Sequence, residues 1–207
     1  MGHLILVRHG ESDQHVSNLT GGWSDTHLTE LGRRQAEATG HGLKGLLAGE
    51  APLLRSSDLA RARETADILG AALGVQPTFH EGLRELNNGA AAGLALEAAR
   101  AIELPMTHPT LDWVPYPGAE SWRMMADRIF AFLEGLQDAT SRMTVIVSHG
   151  NAGIPVIHWW LGLPPHSKIS YELAPCSITR LGINSFGERT IIKLNDTAHL
   201  DAIAATD

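Results

Sequence analysis

Leu4-Ile-Leu-Val-Arg-His-Gly-Glu11 is the stretch on which the reading of this chain turns. Four apolar residues, the pattern of a strand covered on both faces, stop abruptly at a cation, an imidazole, a glycine and a carboxylate. In an open α/β sheet the carboxyl ends of the strands face the ligand crevice, so Arg8 and His9 are expected to meet an anionic ligand. Imidazole is a competent nucleophile for phosphoryl groups, and guanidinium is a matched clamp for their oxygens. Taken alone, the pair reads equally well as a buried strand capped by solvated polar residues.

Three further segments bear on that choice. Val145-Ile-Val-Ser-His-Gly-Asn151 repeats the arrangement, an apolar strand followed by histidine and glycine. A single histidine at a strand end is ordinarily structural; two delivered to the same edge of one sheet point to function. Ser56-Ser-Asp-Leu-Ala-Arg-Ala-Arg-Glu-Thr-Ala66 follows a strand and opens a helix. Arg61 and Arg63 lie two apart and point to different sides of that helix, so only one can line the crevice, and Arg63 and Glu64 read as surface charge. Gly82-Leu-Arg-Glu-Leu86 follows an expected strand at Val75–Phe79 and places Glu85 at the rim, where a lone carboxylate is more often a solvated loop residue.

The 207 residues, 43% hydrophobic and 19% charged, suit one α/β domain with a sizeable core. A formal charge of −7 argues against a nucleic-acid partner, although a few convergent arginines still make a locally positive pocket. Cys176 is the only cysteine, so no internal disulfide forms. No apolar stretch approaches the ~18 residues of a membrane span, and the residues from Met1 lack the apolar core of a signal peptide. A soluble, cytoplasmic protein without a membrane partner is the default.

Leu4–Val7 and Thr144–Val147 read as buried parallel strands, with weaker strands at Leu53–Arg55, Ser177–Ile183 and Arg189–Lys193, the last two joined by a turn at Asn184–Gly187 as an antiparallel edge pair. Helices are expected from Thr29 through Leu47, from a cap at Ser57 or Asp58 to about Leu73, along the apolar stripe Trp122, Met125, Ala126, Ile129, Leu133, Leu136, and from a cap at Asn151 to about Gly162. This alternation predicts the α/β class: a three-layer α/β/α sandwich with a mostly parallel central sheet. Residues 90–117, with three consecutive alanines and then Pro105, Pro109, Pro115 and Pro117, read as a short lid inserted within one domain spanning 1–207.

In order along the chain, these segments resemble the histidine phosphatase superfamily, the phosphoglycerate-mutase-like proteins. The resemblance runs from Leu4 to about Leu181. It rests on Arg8-His9-Gly10-Glu11, Gly22-Trp23-Ser24-Asp25, Leu28-Thr29-Glu30-Leu31-Gly32, Ser57 to Ala66, Leu83-Arg84-Glu85, Pro117 to Ser121 and Ser148-His149-Gly150. It implies a metal-independent phosphomonoester hydrolase that needs no cofactor. His9 would carry a phosphohistidine, Arg8, Arg61 and His149 would hold the phosphoryl oxygens beside Gly150, and Glu85 would serve as general acid and then base. The substrate would be a small phosphorylated metabolite whose identity the sequence leaves open.

Two departures from the family pattern stand out. His15 occupies the place of the usual phosphate-donating asparagine, and Asn18, one turn on, is an alternative donor. The stretch Asn88-Gly-Ala-Ala-Ala-Gly93 has lost the tryptophan and glutamate that family phosphatases often carry there. A phosphoglycerate-type mutase is the rival within the family, although such mutases tend to be longer and this lid is short. A non-catalytic phosphate sensor or scaffold is the rival outside enzymology. Other phosphatase and hydrolase chemistries find no support: Cys176 reaches Arg180 too soon for a cysteine-phosphatase loop, and no phosphate-binding Gly-rich loop, paired metal-ligand histidines or Gly-x-Ser-x-Gly elbow occurs. Trp113 and Tyr116 are candidate substrate contacts, Trp122 reads as core, and Trp159-Trp160 read as helix packing or as the contact of a homodimer.

Overall fold

The computed structural model describes residues 4–136 and 142–204; Met1–His3, where the sequence was read for a leader, lie outside the described residues. Six strands are formed: β1 (Leu4–Arg8), β2 (Leu53–Ser57), β3 (Thr78–His80), β4 (Thr144–Ser148), β5 (Ile178–Ile183) and β6 (Arg189–Asp196). They make one sheet in the order β3-β2-β4-β1-β5-β6. The first four strands in that order run parallel, while β5 and β6 pair antiparallel at one edge. Pairing of Arg8 with Ser148 and of Ser56 with Val147 brings the carboxyl ends of β1, β4 and β2 to one rim.

The helices are α1 (Asp13–Val16), α2 (Glu30–Leu47), α3 (Ala60–Leu73), α4 (Leu96–Ala101), α5 (Trp122–Glu134), α6 (Gly150–Leu161) and α7 (Asp201–Ala204). Alternation along the strands divides the core into two. Leu4, Leu6 and Ile146 face Met125, Ile129 and Leu133 of α5 and Val156 and Trp160 of α6. Ile5, Val7, Val145 and Val147 face Leu43 and Leu47 of α2 and Ala62, Ala66 and Leu69 of α3. The sandwich therefore has helices on both faces. Truncating a fully buried side chain such as Leu69 to alanine costs about 2–5 kcal/mol. Among the described residues no helix is long and apolar enough to cross a membrane.

Thr29 caps α2 through a hydrogen bond from Gly32 N–H to its Oγ1 at 3.0 Å. Two other expected caps are displaced. Helix α3 starts from Leu59, because the Asp58 carboxylate is taken by Arg84 and the Ser57 hydroxyl by His149. Helix α6 starts from His149, with Asn151 inside its first turn. The expected Val75–Phe79 strand is shorter and later, at Thr78–His80. Trp160 is core, and the partly buried Trp159 packs against the same cluster.

The inserted segment holds α4 and two single 3-10 turns at Gly89–Ala91 and Thr110–Asp112. Thr20 N–H donates to the Leu94 carbonyl at 2.9 Å, tying the segment to the chain that follows the His9 strand.

Candidate active site

The two residues that follow β1 are held by the backbone of β4 and by α3. His9 N–H donates to the Ser148 carbonyl at 2.9 Å, and Gly10 N–H donates to Thr65 Oγ1 at 3.2 Å. A methyl on Gly10 would stand 2.5 Å from the Gly32 carbonyl oxygen, so only glycine lets the start of α2 close onto this turn. Glu11 faces that helix, accepting from Thr29 Oγ1 at 2.7 Å.

His9 is buried, and its Nδ1 lies 2.7 Å from the Gly10 carbonyl. A carbonyl only accepts, so Nδ1 carries the ring proton and Nε2 keeps its lone pair. Arg61 Nε–H donates to that Nε2 at 3.2 Å. Burial, then the charges of Arg61 and Arg8, hold His9 well below the ordinary imidazole value. The nucleophile of the sequence reading is thus an unprotonated nitrogen.

Arg61 is fully buried on the inner side of α3, whereas Arg63 is exposed and lies over the Phe79 ring at 3.8 Å. Arg61 donates to the carbonyls of Gly22 and Ser24 at 2.8 and 3.0 Å and to Thr26 Oγ1 at 3.3 Å. With His9 these account for four of its five N–H groups, and one remains among the described residues. Burial lowers Arg61 to about 10, which still leaves it charged at neutral pH.

His149 is fully buried, its ring 5.0 Å from that of His9 and edge-on to it. Ser57 Oγ lies 2.8 Å from His149 Nε2, while Nδ1 is buried without a hydrogen-bond partner among the described residues. Burial is again the first cause that keeps this imidazole neutral, with Arg61 next. Arg8 Nη1 donates to the Leu173 carbonyl at 2.6 Å, and its Nε is a second buried donor without a partner among the described residues. Gly150 presents its α-carbon to the Arg8 guanidinium, where a methyl would sit 3.6 Å from Cζ.

The His15 ring stacks at 5.6 Å on that of His9. Ser12 N–H donates to His15 Nδ1 at 3.0 Å, which assigns the ring proton to Nε2. Arg8 Nη2 stands 2.6 Å from that same Nε2. Two donors therefore converge on one place, the arrangement that an oxyanion satisfies. Loss of hydration and the Arg8 charge lower His15 to about 4. Asn18 sits instead in an exposed left-handed turn, φ 51°, and no hydrogen bond among the described residues joins it to the cluster. His15, and not Asn18, is the residue beside Arg8.

Glu85 sits at the start of α6. Its Oε1 accepts from Leu86 N–H at 2.8 Å and Ala152 N–H at 3.1 Å, and its Oε2 accepts from Asn151 N–H at 3.1 Å. The carboxylate thus supplies the cap that Asn151 was expected to provide, and Oε2 retains a lone pair on which a proton can sit. Its charge acts on both Arg8 and Arg61. A cavity of about 390 Å³ opens beside Arg8 and Gly150, walled also by Asn151, Tyr171 and Glu172. Trp113 and Tyr116 do not line it; the Trp113 indole donates to the Leu104 carbonyl at 3.2 Å within the inserted segment.

Several participants escaped the sequence reading. Ser57 holds His149, the Gly22–Thr26 loop holds Arg61, and Trp23 Nε1–H donates to the Glu85 carbonyl at 2.7 Å. The motif Gly22-Trp23-Ser24-Asp25 was visible as a string, but its work as a set of backbone acceptors depends on chain folding. Among the described residues, no group of three or more His, Cys, Asp and Glu could hold a metal ion.

Residues 4–197 match the family model described as the histidine phosphatase superfamily (branch 1). A probable phosphoglycerate mutase, GpmB, of Salmonella paratyphi C is 31% identical over 212 residues, covering 99% of this chain and 97% of the relative. A mycobacterial glucosyl-3-phosphoglycerate phosphatase in complex with VO3 superposes with a TM-score of 0.76 at 27% identity, covering 95% of this chain and all (100%) of that one. The alpha-ribazole phosphatase of Shigella flexneri shares the fold, with a TM-score of 0.81 at 22% identity over 94% of this chain and 96% of its own. Since the family model matches nearly the whole chain, the chain belongs to the histidine phosphatase superfamily.

Proposed function

We propose that this protein hydrolyses the phosphomonoester of a small metabolite through a phosphohistidine on His9 Nε2, without a metal. The observation that carries this reading is the ring of His9: Nδ1 is committed to Gly10 and Nε2, with its lone pair, faces Arg61. Attack of Nε2 on phosphorus breaks the P–O bond to the leaving group, whose oxygen takes the proton from Glu85 Oε2. In the second step water attacks the phosphohistidine, its proton returns to Glu85, and the P–N bond breaks. Arg8, His15 Nε2–H, His149 Nδ1–H and the remaining N–H of Arg61 supply fixed donors to the phosphoryl oxygens throughout.

A phosphomutase is the second reading, favoured by 31% identity to a probable phosphoglycerate mutase. Hydrolysis is favoured by the likeness to a glucosyl-3-phosphoglycerate phosphatase. One assay separates them. Phosphate release from an aryl phosphate in the presence of a chelator, run beside 3-phosphoglycerate with its bisphosphate primer, is expected to yield free phosphate and no isomerised product. Isomerisation exceeding hydrolysis would assign the mutase reading, and a requirement for metal would overturn the proposed charge stabilisation.

A further inference from the structure

The loop that carries Glu85 has no regular structure after its 3-10 turn at Glu81–Leu83, yet an acid/base group must be held to within a fraction of an ångström. Its rigidity is supplied from α5. Arg128 donates through Nη1 to the carbonyls of Glu81, Gly82 and Arg84 at 3.1–3.2 Å and through Nη2 to that of Glu85 at 3.2 Å. Its Nε and Nη2 also pair with the two carboxylate oxygens of Glu120 at 2.8 and 2.9 Å. Glu120 in turn accepts from Asn87 N–H at 3.1 Å, and its own N–H donates to the Asn87 carbonyl at 2.9 Å.

One planar guanidinium therefore grips four consecutive-region carbonyls, and its carboxylate partner grips the far end of the same loop. Neither residue belongs to the cluster around His9. The fork geometry matters, because a lysine ammonium offers three donors from a single point and cannot span both the carbonyls and the carboxylate. Trp23 completes the grip: its indole N–H reaches the Glu85 carbonyl, and Arg128 and Arg84 lie over its ring at 5.6 and 4.7 Å. Beyond this clamp the Glu85 side chain turns to the first turn of α6, so its carboxylate is fixed from the peptide side and from the helix side together.

We propose that Arg128, held by Glu120, is the positioning residue for the acid/base carboxylate of Glu85, an inference that rests on the phosphohistidine reading above. The test follows single-turnover release of the leaving group, the step before Glu85 acts as base, and compares an alkyl phosphate, whose poor leaving group needs protonation, with an aryl phosphate, whose good one does not. Arg128→Lys is expected to lower the rate of release from the alkyl ester about 10- to 100-fold, with half-saturation moving much less and aryl release nearly kept. Glu85→Gln should show the same selectivity, and the double variant Glu85→Gln/Arg128→Lys should be no worse than Glu85→Gln alone. Equal losses on both esters, or additive losses in the double variant, would show a merely structural role and overturn the clamp. Glu120→Gln, which keeps the shape and removes the charge, carries the same comparison if Arg128→Lys fails to fold. If Glu85→Gln itself slows both esters equally, the acid assignment falls and the clamp with it; if only the Arg128 and Glu120 variants lack selectivity, the acid assignment stands and the clamp alone fails.

Discussion

The floor of the site and the inserted segment at residues 90–117 are made of different material. On the floor, His9, Arg61 and His149 are buried and each is fixed by a named partner: the Gly10 carbonyl, the Gly22–Thr26 loop and the Ser57 hydroxyl. The inserted segment instead leaves Leu96, Ile102, Leu104 and Met106 exposed, and Trp113 donates its indole N–H to the Leu104 carbonyl and its backbone N–H to the Thr110 carbonyl, both within the segment. On the proposed mechanism the floor must supply donors that do not reorganise, and its hydrogen bonds hold them in place. None of these hydrogen bonds among the described residues comes from the inserted segment.

The comparison breaks most visibly at His9. His9→Ala should reduce phosphate release to background, a fall on the order of 10⁴-fold; residual turnover near the parent rate would remove the covalent intermediate. Next comes the contrast on α3. Arg61→Ala should lower kcat/KM about 10²- to 10³-fold, while Arg63→Ala, which loses only its place over Phe79, should leave the rate nearly unchanged. A critical Arg63 would mean that the wrong face of α3 had been assigned to the site.

The burial of the floor also carries a pH signature. His9 and His149 are held neutral in the fold, so below the ordinary imidazole value the unfolded chain binds protons that the native chain refuses. Stability is then fully present above that value and drains away as pH falls beneath it, by about 1.4 kcal/mol per pH unit for each of the two rings. Melting temperatures taken from neutral to mildly acidic pH should fall, and the fall should be shallower in a His149→Ala variant; identical slopes would argue that the rings are not desolvated.

At the edge of the floor, His15→Ala should raise KM about tenfold, and His15→Asn should restore much of the loss because an amide also donates. If both variants bind substrate as the parent does, His15 is not a phosphate donor. The smallest effect is expected from the inserted segment: Met106→Ser should change stability by no more than about 0.5 kcal/mol and leave aryl phosphate turnover intact. A large loss there would erase the contrast with the floor.

Much of this was readable before folding, for reasons of period and chemistry. Continuous apolar runs announced β1 and β4, the two-residue offset separated Arg61 from Arg63, and the turn at Asn184–Gly187 announced the β5–β6 edge pair. Local signals failed where a distant residue competed for the same atom. Ser57 and Asp58 looked like helix caps, but His149 and Arg84 claim them; Asn151 looked like another, but Glu85 reaches its backbone first. Glu120 was visible only as part of the Pro117–Ser121 motif and Arg128 gave no sign, since a salt-bridged pair is unremarkable until four carbonyls from elsewhere converge on it.

The sequence by itself determined which imidazoles, guanidinium groups and carboxylate are candidates for the proposed chemistry, because these are properties of residue types, and strand and helix periods dictate which edge receives them. Only the tertiary structure decided the protonated nitrogens of His9 and His15, the choice of His15 over Asn18 and the grip on the Glu85 loop. Those depend on hydrogen bonds between residues far apart in the chain, which exist only once the sheet has set their distances.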